Sequence, residues 1–151
     1  PHNMSMHKLY LGLGANIGDC RRTISEAIDE IGEQIGTVVC RSALYDTEPW
    51  GFESSNRFVN AVVCCDTVLS PREVLDRTRR IERRLGRKEK TVAGRYHDRA
   101  IDIDILLYDD ITVDEPDLKI PHPLMQERDF VMIPLREIMG EETPVMPEQR
   151  L

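Results

Sequence analysis

The stretch Arg99-Ala100-Ile101-Asp102-Ile103-Asp104-Ile105-Leu106 sets two carboxylates in strict alternation with three isoleucines. On a β-strand this alternation sends the isoleucines to one face and both carboxylates to the other. Residues two apart on a strand are separated by ~6.6 Å. Two aspartates leaning together can therefore grip a pair of divalent cations ~3.5–4 Å apart. Mg²⁺ suits such a pair, because it takes one or two carboxylates and leaves its other positions to water and phosphate. Aspartate is also disfavoured inside strands, where its short side chain competes for backbone hydrogen bonds. Two of them in an otherwise strong strand break a local rule, as functional sites do. A bare D-x-D occurs in several enzyme classes, so the pair alone leaves open both a metal site and a solvated strand face.

Close to these acids the chain turns basic. Residues 72–99 hold nine Arg and two Lys against five acids, a net of +6 in a chain of net −7. Arg77, Arg79, Arg80, Arg83 and Arg84 fall on a helical segment, and Arg87, Lys88, Lys90 and Arg95 on the polar loop after it. Arg99 precedes Asp102 by three residues. Guanidinium groups match phosphate oxygens in pairs, so a polyphosphate held by Mg²⁺ would meet them on its remaining oxygens. Most of the helix arginines read as a solvated face with partners one turn away, such as Glu73–Arg77 and Asp76–Arg80. Glu82 sits at the border of the apolar face, where it can hold a ligand hydroxyl or cap an arginine.

Two further clusters are candidates. Thr47-Glu48-Pro49-Trp50-Gly51-Phe52 and Phe58-Val59-Asn60 bring aromatic rings near a hydroxyl and a carboxamide, with Phe58 and Asn60 on one strand face. A flat heterocycle wants ring faces above and below it and amide-like partners at its edge. The same residues also suit ordinary core and loop. Gly12-Leu13-Gly14-Ala15-Asn16-Ile17-Gly18 is neither G-x-G-x-x-G nor a Walker A loop, and is expected to form a tight strand-to-helix turn.

The elements that must position these residues follow from periodicity. Leu9–Ala15 reads as a strand. Ile24, Ala27, Ile28, Ile31 and Ile35 recur at helical spacing after Asp19, a suitable N-cap. Thr37–Tyr45 and Phe58–Val68 read as strands on either side of a loop at 47–56. Ser70-Pro71-Arg72-Glu73 is a capping box with proline in the first turn. It opens a helix whose apolar face is Val74, Leu75, Thr78, Ile81 and Leu85, with Gly86 as its stop. Ala100–Tyr108 is a fourth strand, and Met125–Ile138 is partly helical with an interruption at Pro134. The order βαββαβ with a C-terminal extension fits an α+β, ferredoxin-like sandwich, an antiparallel sheet covered on one face by two helices.

Composition agrees with one domain. The chain has 151 residues, 40% hydrophobic and 31% charged, with nine Gly and nine Pro. That excludes collagen-like and low-complexity classes, and no apolar run reaches the ~18 residues of a membrane span. A net charge of −7 argues against a general nucleic-acid coat. Residues 1–6 are expected to be a fusion remnant or frayed start, 7–151 a single domain, and 140–151 a loosely held tail. Cys20, Cys40, Cys64 and Cys65 contain no C-x-x-C and read as reduced thiols of a cytoplasmic protein, with Cys64 and Cys65 on opposite faces of a strand.

Taken in order, Leu11-Gly12-Leu13-Gly14-Ala15-Asn16-Ile17-Gly18-Asp19, Leu44-Tyr45-Asp46-Thr47-Glu48-Pro49-Trp50-Gly51, Phe58-Val59-Asn60-Ala61, Ile81-Glu82 with Gly86-Arg87, Asp98–Ile105, and Ile120-Pro121-His122-Pro123 with Arg128-Asp129-Phe130-Val131 resemble the 6-hydroxymethyl-7,8-dihydropterin pyrophosphokinase family. The resemblance covers about Leu9 to Ile138. It implies transfer of the terminal diphosphate of ATP to the pterin hydroxymethyl group, with AMP released, in folate biosynthesis. It implies two Mg²⁺ ions on Asp102 and Asp104, and ATP contacts at Glu82, Arg87, Arg99, Ile105, His122 and Arg128. The pterin would meet Phe58 and Phe130 on its faces and Thr47, Asn60, Glu48 and Trp50 at its edge. Arg87, Arg99 and Asp104 would act in catalysis, and a cytoplasmic monomer working on small molecules is expected. The loop Lys88–His97 departs from the family pattern in length, so Arg95 and Tyr96 have no matched role, and Arg79 stands where a Gln is familiar. Two other classes share parts of this pattern. A Mg²⁺-dependent nucleotidyltransferase shares the acid pair, and a ferredoxin-like ligand-binding module shares the fold.

Overall fold

The computed structural model of the chain describes residues 5–47, 58–86 and 100–140. Among these residues, seven strands and three α-helices succeed one another as β1 (His7–Ala15), α1 (Cys20–Gln34), β2 (Thr37–Arg41), β3 (Tyr45–Thr47), β4 (Phe58–Thr67), α2 (Pro71–Gly86), β5 (Asp102–Tyr108), β6 (Val113–Glu115), β7 (Leu118–Ile120) and α3 (Asp129–Met139), with a 3-10 turn at Met125–Glu127 before α3. The main sheet is antiparallel in the order β2-β4-β1-β5, with β3 also paired to β4. β6 and β7 form a separate hairpin.

Alternation divides the sheet residues between two cores. Leu9, Leu11, Leu13 and Ala15 of β1, Val59, Ala61, Val63 and Cys65 of β4, and Ile103 and Ile105 of β5 face α1 and α2. The helices answer with Ile24, Ala27, Ile28 and Ile31 and with Val74, Thr78 and Ile81. Burying each large aliphatic side chain here favours folding by ~1.5–3 kcal/mol before entropy is counted. The opposite face is also covered in part. Tyr10, Val62, Cys64 and Leu106 pack against Val131, Met132 and Leu135 of α3 and against Met125. The sheet is therefore clad on both faces, not on one. Among the described residues, α3 packs on Tyr10, Val62, Cys64 and Leu106, and not on Gly14, Asn60 or Asp102 at the other end of the sheet.

Local signals act as expected at both helix starts. The Asp19 carboxylate accepts from the Arg22 N–H at 3.2 Å. The capping box closes in both directions, with Glu73 N–H donating to Ser70 Oγ at 3.2 Å and Ser70 N–H donating to Glu73 Oε1 at 2.8 Å. Elsewhere the sequence reading needs correction. The expected strand Thr37–Tyr45 is broken at 42–44, because Ser42 Oγ accepts the Val62 N–H at 3.0 Å and replaces a ladder bond. Pro134 does not interrupt α3. It lies five residues into the helix, removes one intrahelical bond and is itself buried. The β6–β7 hairpin was missed, although Pro116-Asp117 is a turn signal between Val113 and the alternating Leu118 and Ile120. The helix arginines form ion pairs across elements: Arg84 with Glu30 of α1 at 3.1 Å, and Arg72 with Glu115 and Asp117 of the hairpin.

Candidate active site

β5 carries the two carboxylates as its alternation requires. Ile103 and Ile105 are buried toward α1 and α2, and Asp102 and Asp104 emerge half-buried on the other face. The register puts Asn60 of β4, Gly14 of β1 and Asp102 of β5 in one row, and Val62, Gly12 and Asp104 in the next. The glycines are thus inside β1, not in a turn, and this corrects the sequence reading. They leave a trough between the carboxamide on β4 and the carboxylates on β5. A Cβ at Gly14 would sit 2.8 Å from Asn60 Oδ1, and one at Gly12 would sit 3.4 Å from the Leu106 methyls. Only Gly18, with φ of +70°, serves the turn into α1.

This trough is the floor of a pocket with about 620 Å³ of space, partly open to solvent. Phe58 and Asn60 stand on one side, Asp102 and Asp104 on the other, and Arg128, Phe130 and Val131 lean in from the start of α3. The Arg128 guanidinium carbon lies 5.6 Å from the centre of the Phe130 ring, within cation–π range. Two aromatic rings, a carboxamide and a buried floor can receive a flat, polar-edged heterocycle.

A second cavity, with about 850 Å³ of largely open space, lies across the outer edge of β5. Asp102 and Asp104 line it as well, so both carboxylates front both cavities. Its walls are α2 (Thr78, Arg79, Glu82), the hairpin (Asp117, Lys119) and His122. β5 is an edge strand, and two groups bond to its outer side. The Glu82 carboxylate accepts the Ile103 N–H at 2.7 Å. Backbone bonding direction alternates along a strand, so the Ile105 N–H and C=O point to the same outer side. One residue further, β5 bulges, with Leu106 and Leu107 together opposite Tyr10, and the Leu106 carbonyl accepts the His122 N–H at 3.1 Å. The bulge thereby fixes His122 beside the acids.

His122 Nδ1 accepts the Leu124 N–H at 3.3 Å, which assigns the ring proton to Nε2. Nε2 lies 4.0 Å from Asp104 Oδ2. Burial holds the imidazole below its ordinary pKa, the Arg128 guanidinium adds to that, and Asp102 opposes it. His122 is therefore neutral near pH 7 and offers an N–H donor toward the acids.

Of the residues singled out from the sequence, Phe58, Asn60, Asp102, Asp104, Arg128 and Phe130 meet in the first cavity. Glu82, Ile105 and His122 join the two acids in the second. Thr47 ends β3 opposite Phe58. Glu48, Trp50, Arg87, Arg95, Tyr96 and Arg99 lie outside the described residues. Sequence reasoning missed Gly12, Gly14 and Leu106. Glycines two apart, alternating with leucines, were a readable sign of a strand with one bare face.

The family model for 7,8-dihydro-6-hydroxymethylpterin-pyrophosphokinase matches residues 10–140. A 2-amino-4-hydroxy-6-hydroxymethyldihydropteridine pyrophosphokinase of Porphyromonas gingivalis is 44% identical over 144 residues, covering 95% of this chain and 98% of the relative. One from Aquifex aeolicus is 41% identical over 133 residues, covering 88% and 81%. The crystal structure of Plasmodium falciparum HPPK-DHPS superposes with a TM-score of 0.70 at 17% identity, over 91% of this chain and 42% of that one. This last likeness concerns the fold.

Proposed function

The chain belongs to the 7,8-dihydro-6-hydroxymethylpterin-pyrophosphokinase family, and from that premise we propose that its two cavities hold the two substrates on either side of Asp102 and Asp104. The protein transfers the terminal diphosphate of ATP to the hydroxymethyl group of 6-hydroxymethyl-7,8-dihydropterin, a step of folate synthesis that leaves AMP. The observation that carries the two-sided reading is that the same pair of carboxylates lines both cavities.

On the pterin side, Phe58 and Phe130 stack on the ring faces and Asn60 bonds the ring edge. Thr47, at the end of β3, and Glu48 and Trp50, which follow it in sequence, complete that edge. On the nucleotide side, the Ile105 main chain offers a donor and an acceptor to the base, and Glu82 lies beside the ribose. His122 donates from Nε2 to a phosphate oxygen, Arg87 and Arg99 neutralise the remaining phosphate charge, and Arg128, which lines the first cavity, meets the phosphates from the pterin side.

The donor set fits Mg²⁺. Two hard carboxylates share one strand face, and among the described residues no group of three or more Asp, Glu, His or Cys forms a closed cage. An ion that draws its other ligands from water and phosphate needs none. We assign two Mg²⁺ ions to Asp102 and Asp104; when bound, they polarise the phosphates and lower the pKa of the attacking hydroxyl. The rest is positioning and charge, as in other phosphoryl transfers. The trough aligns the pterin hydroxymethyl oxygen with the β-phosphorus, AMP leaves on the opposite side, and Asp104 takes the hydroxyl proton.

The strand order β2-β4-β1-β5 with α1 and α2 on one face supports reading residues up to Tyr108 as a ferredoxin-like core. The hairpin and α3 then form a C-terminal extension that finishes both cavities. We read the enzyme as a monomer acting on small molecules. Among the described residues no helix is long and apolar enough to cross a membrane. We read the enzyme as cytoplasmic on the chemistry of its substrates, two small, water-soluble molecules.

The test is to incubate the protein with ATP, Mg²⁺ and the reduced hydroxymethylpterin and to identify the nucleotide released. AMP that forms only when the pterin is present is expected. Free pyrophosphate would indicate nucleotidyl transfer, and no turnover would indicate a binding module; either result contradicts the proposal.

A further inference from the structure

The cavity on the nucleotide side is a slot between α2 and the β6–β7 hairpin, and its outer wall is tied down by charge. Arg72, Leu75, Arg79 and Glu82 follow one another at spacings of three and four, so they form one stripe along α2. The last three line the slot, and Arg72, at the N-terminal end of the stripe, does not. Arg72 Nη1 donates to both carboxylate oxygens of Asp117 at 2.9 Å, and Nη2 donates to Glu115 Oε1. Arg79 Nη1 stands 3.9 Å from Asp117. The Arg72 bond and the nearby guanidinium hold the Asp117 carboxyl below its ordinary pKa, so it stays ionised at neutral pH.

An isolated exposed ion pair contributes little, but one arginine bridging two acids within a network is the exception. The location gives this network its consequence. Glu115 precedes and Asp117 lies within the turn of a hairpin of two three-residue strands, too small to be stable by itself. The buried Ile120 holds the base of the hairpin, and the buried Leu118, paired with Glu115, holds the β7 side of its tip. The Arg72 bridge holds its tip against the helix that carries Glu82.

We propose that Arg72, through its bridge to Asp117 in the slot wall, is a positioning residue that fixes the width of the nucleotide slot, and so sets the affinity for ATP, without itself contacting the nucleotide. This rests on reading the slot as the ATP site. The pterin cavity shares no hairpin residue, so its affinity is independent of the bridge.

The experiment uses the full chain and measures steady-state kinetics together with calorimetric binding of a non-hydrolysable ATP analogue with Mg²⁺ and of the pterin. Arg72→Gln should raise KM for ATP and Kd for the analogue by about three- to tenfold, with kcat and pterin Kd within about twofold. Arg72→Glu alone should be worse, and Arg72→Glu combined with Asp117→Arg should recover most of the loss. Arg72→Lys keeps the charge but cannot bridge two carboxylates in the same way, and should fall between wild type and Arg72→Gln. It decides the matter if Arg72→Glu does not fold. Unchanged ATP parameters in Arg72→Gln or Arg72→Lys, an unrescued charge swap, or equal loss of pterin binding would overturn the proposal. Absence of AMP formation by the wild type would instead defeat the reading of the reaction, while analogue binding by the variants would still decide the bridge.

Discussion

Gly14 shows most directly how one residue type makes room for chemistry. Its missing side chain lets Asn60 Oδ1 occupy the space a Cβ would need, with 2.8 Å between them. Gly14→Ala should therefore push Asn60 off the pterin edge. Calorimetry should show pterin affinity falling by about tenfold, with affinity for an ATP analogue within about twofold; equal effects on both ligands would contradict the role given to Asn60. The carboxylates were legible in the sequence because alternation on a strand is a period-two signal that needs no tertiary knowledge. Gly12 and Gly14 were misread because the same composition also marks turns, and only strand register separates the two uses. Glu82 was legible as unusual, but its bond to the Ile103 N–H depends on how a helix lies along a sheet edge, which local spacing does not encode.

At the scale of elements, boundaries set by local chemistry were readable and boundaries set by partners were not. The start of α2 belongs to the first kind, since Ser70 and Glu73 satisfy each other's N–H groups. Ser70→Ala should cost about 1 kcal/mol in urea unfolding with the slope unchanged; no loss would mean that the cap is redundant with packing along Val74, Thr78 and Ile81. The break between β2 and β3 belongs to the second kind, because Ser42 acts on Val62, twenty residues away in sequence. So does α3, which continues through Pro134 because its buried face, Val131, Met132 and Leu135, packs on the sheet. Its other tie is Glu137, which accepts from Tyr45 Oη at 2.6 Å and from the Ala43 N–H at 3.2 Å. That links the helix bearing Phe130 to the strand that ends at Thr47.

For the whole molecule, the decisive feature is that one edge strand separates two cavities. The order of elements was readable from the sequence, and so was the family, through motifs spread along the chain. That the second face of the sheet is half covered was not, because α3 acts through contacts far apart in sequence. Where α3 stops short, the first cavity begins, and the β5 bulge at Leu106 explains why His122 faces the acids. Because Phe130 belongs to the first cavity alone, Phe130→Ala should weaken pterin binding in the free enzyme more than ATP binding; equal loss in calorimetric titrations would argue against separate sites. The most direct test of the account is the number of divalent ions held between the substrates. Mn²⁺ can be titrated by electron paramagnetic resonance in the presence of a non-hydrolysable ATP analogue, for the wild type and for Asp102→Ala and Asp104→Ala. Two ions in the wild type, and fewer in each variant with turnover nearly abolished and the melting temperature retained, are what the account predicts. Undiminished occupancy or near-wild-type turnover in either variant would contradict it.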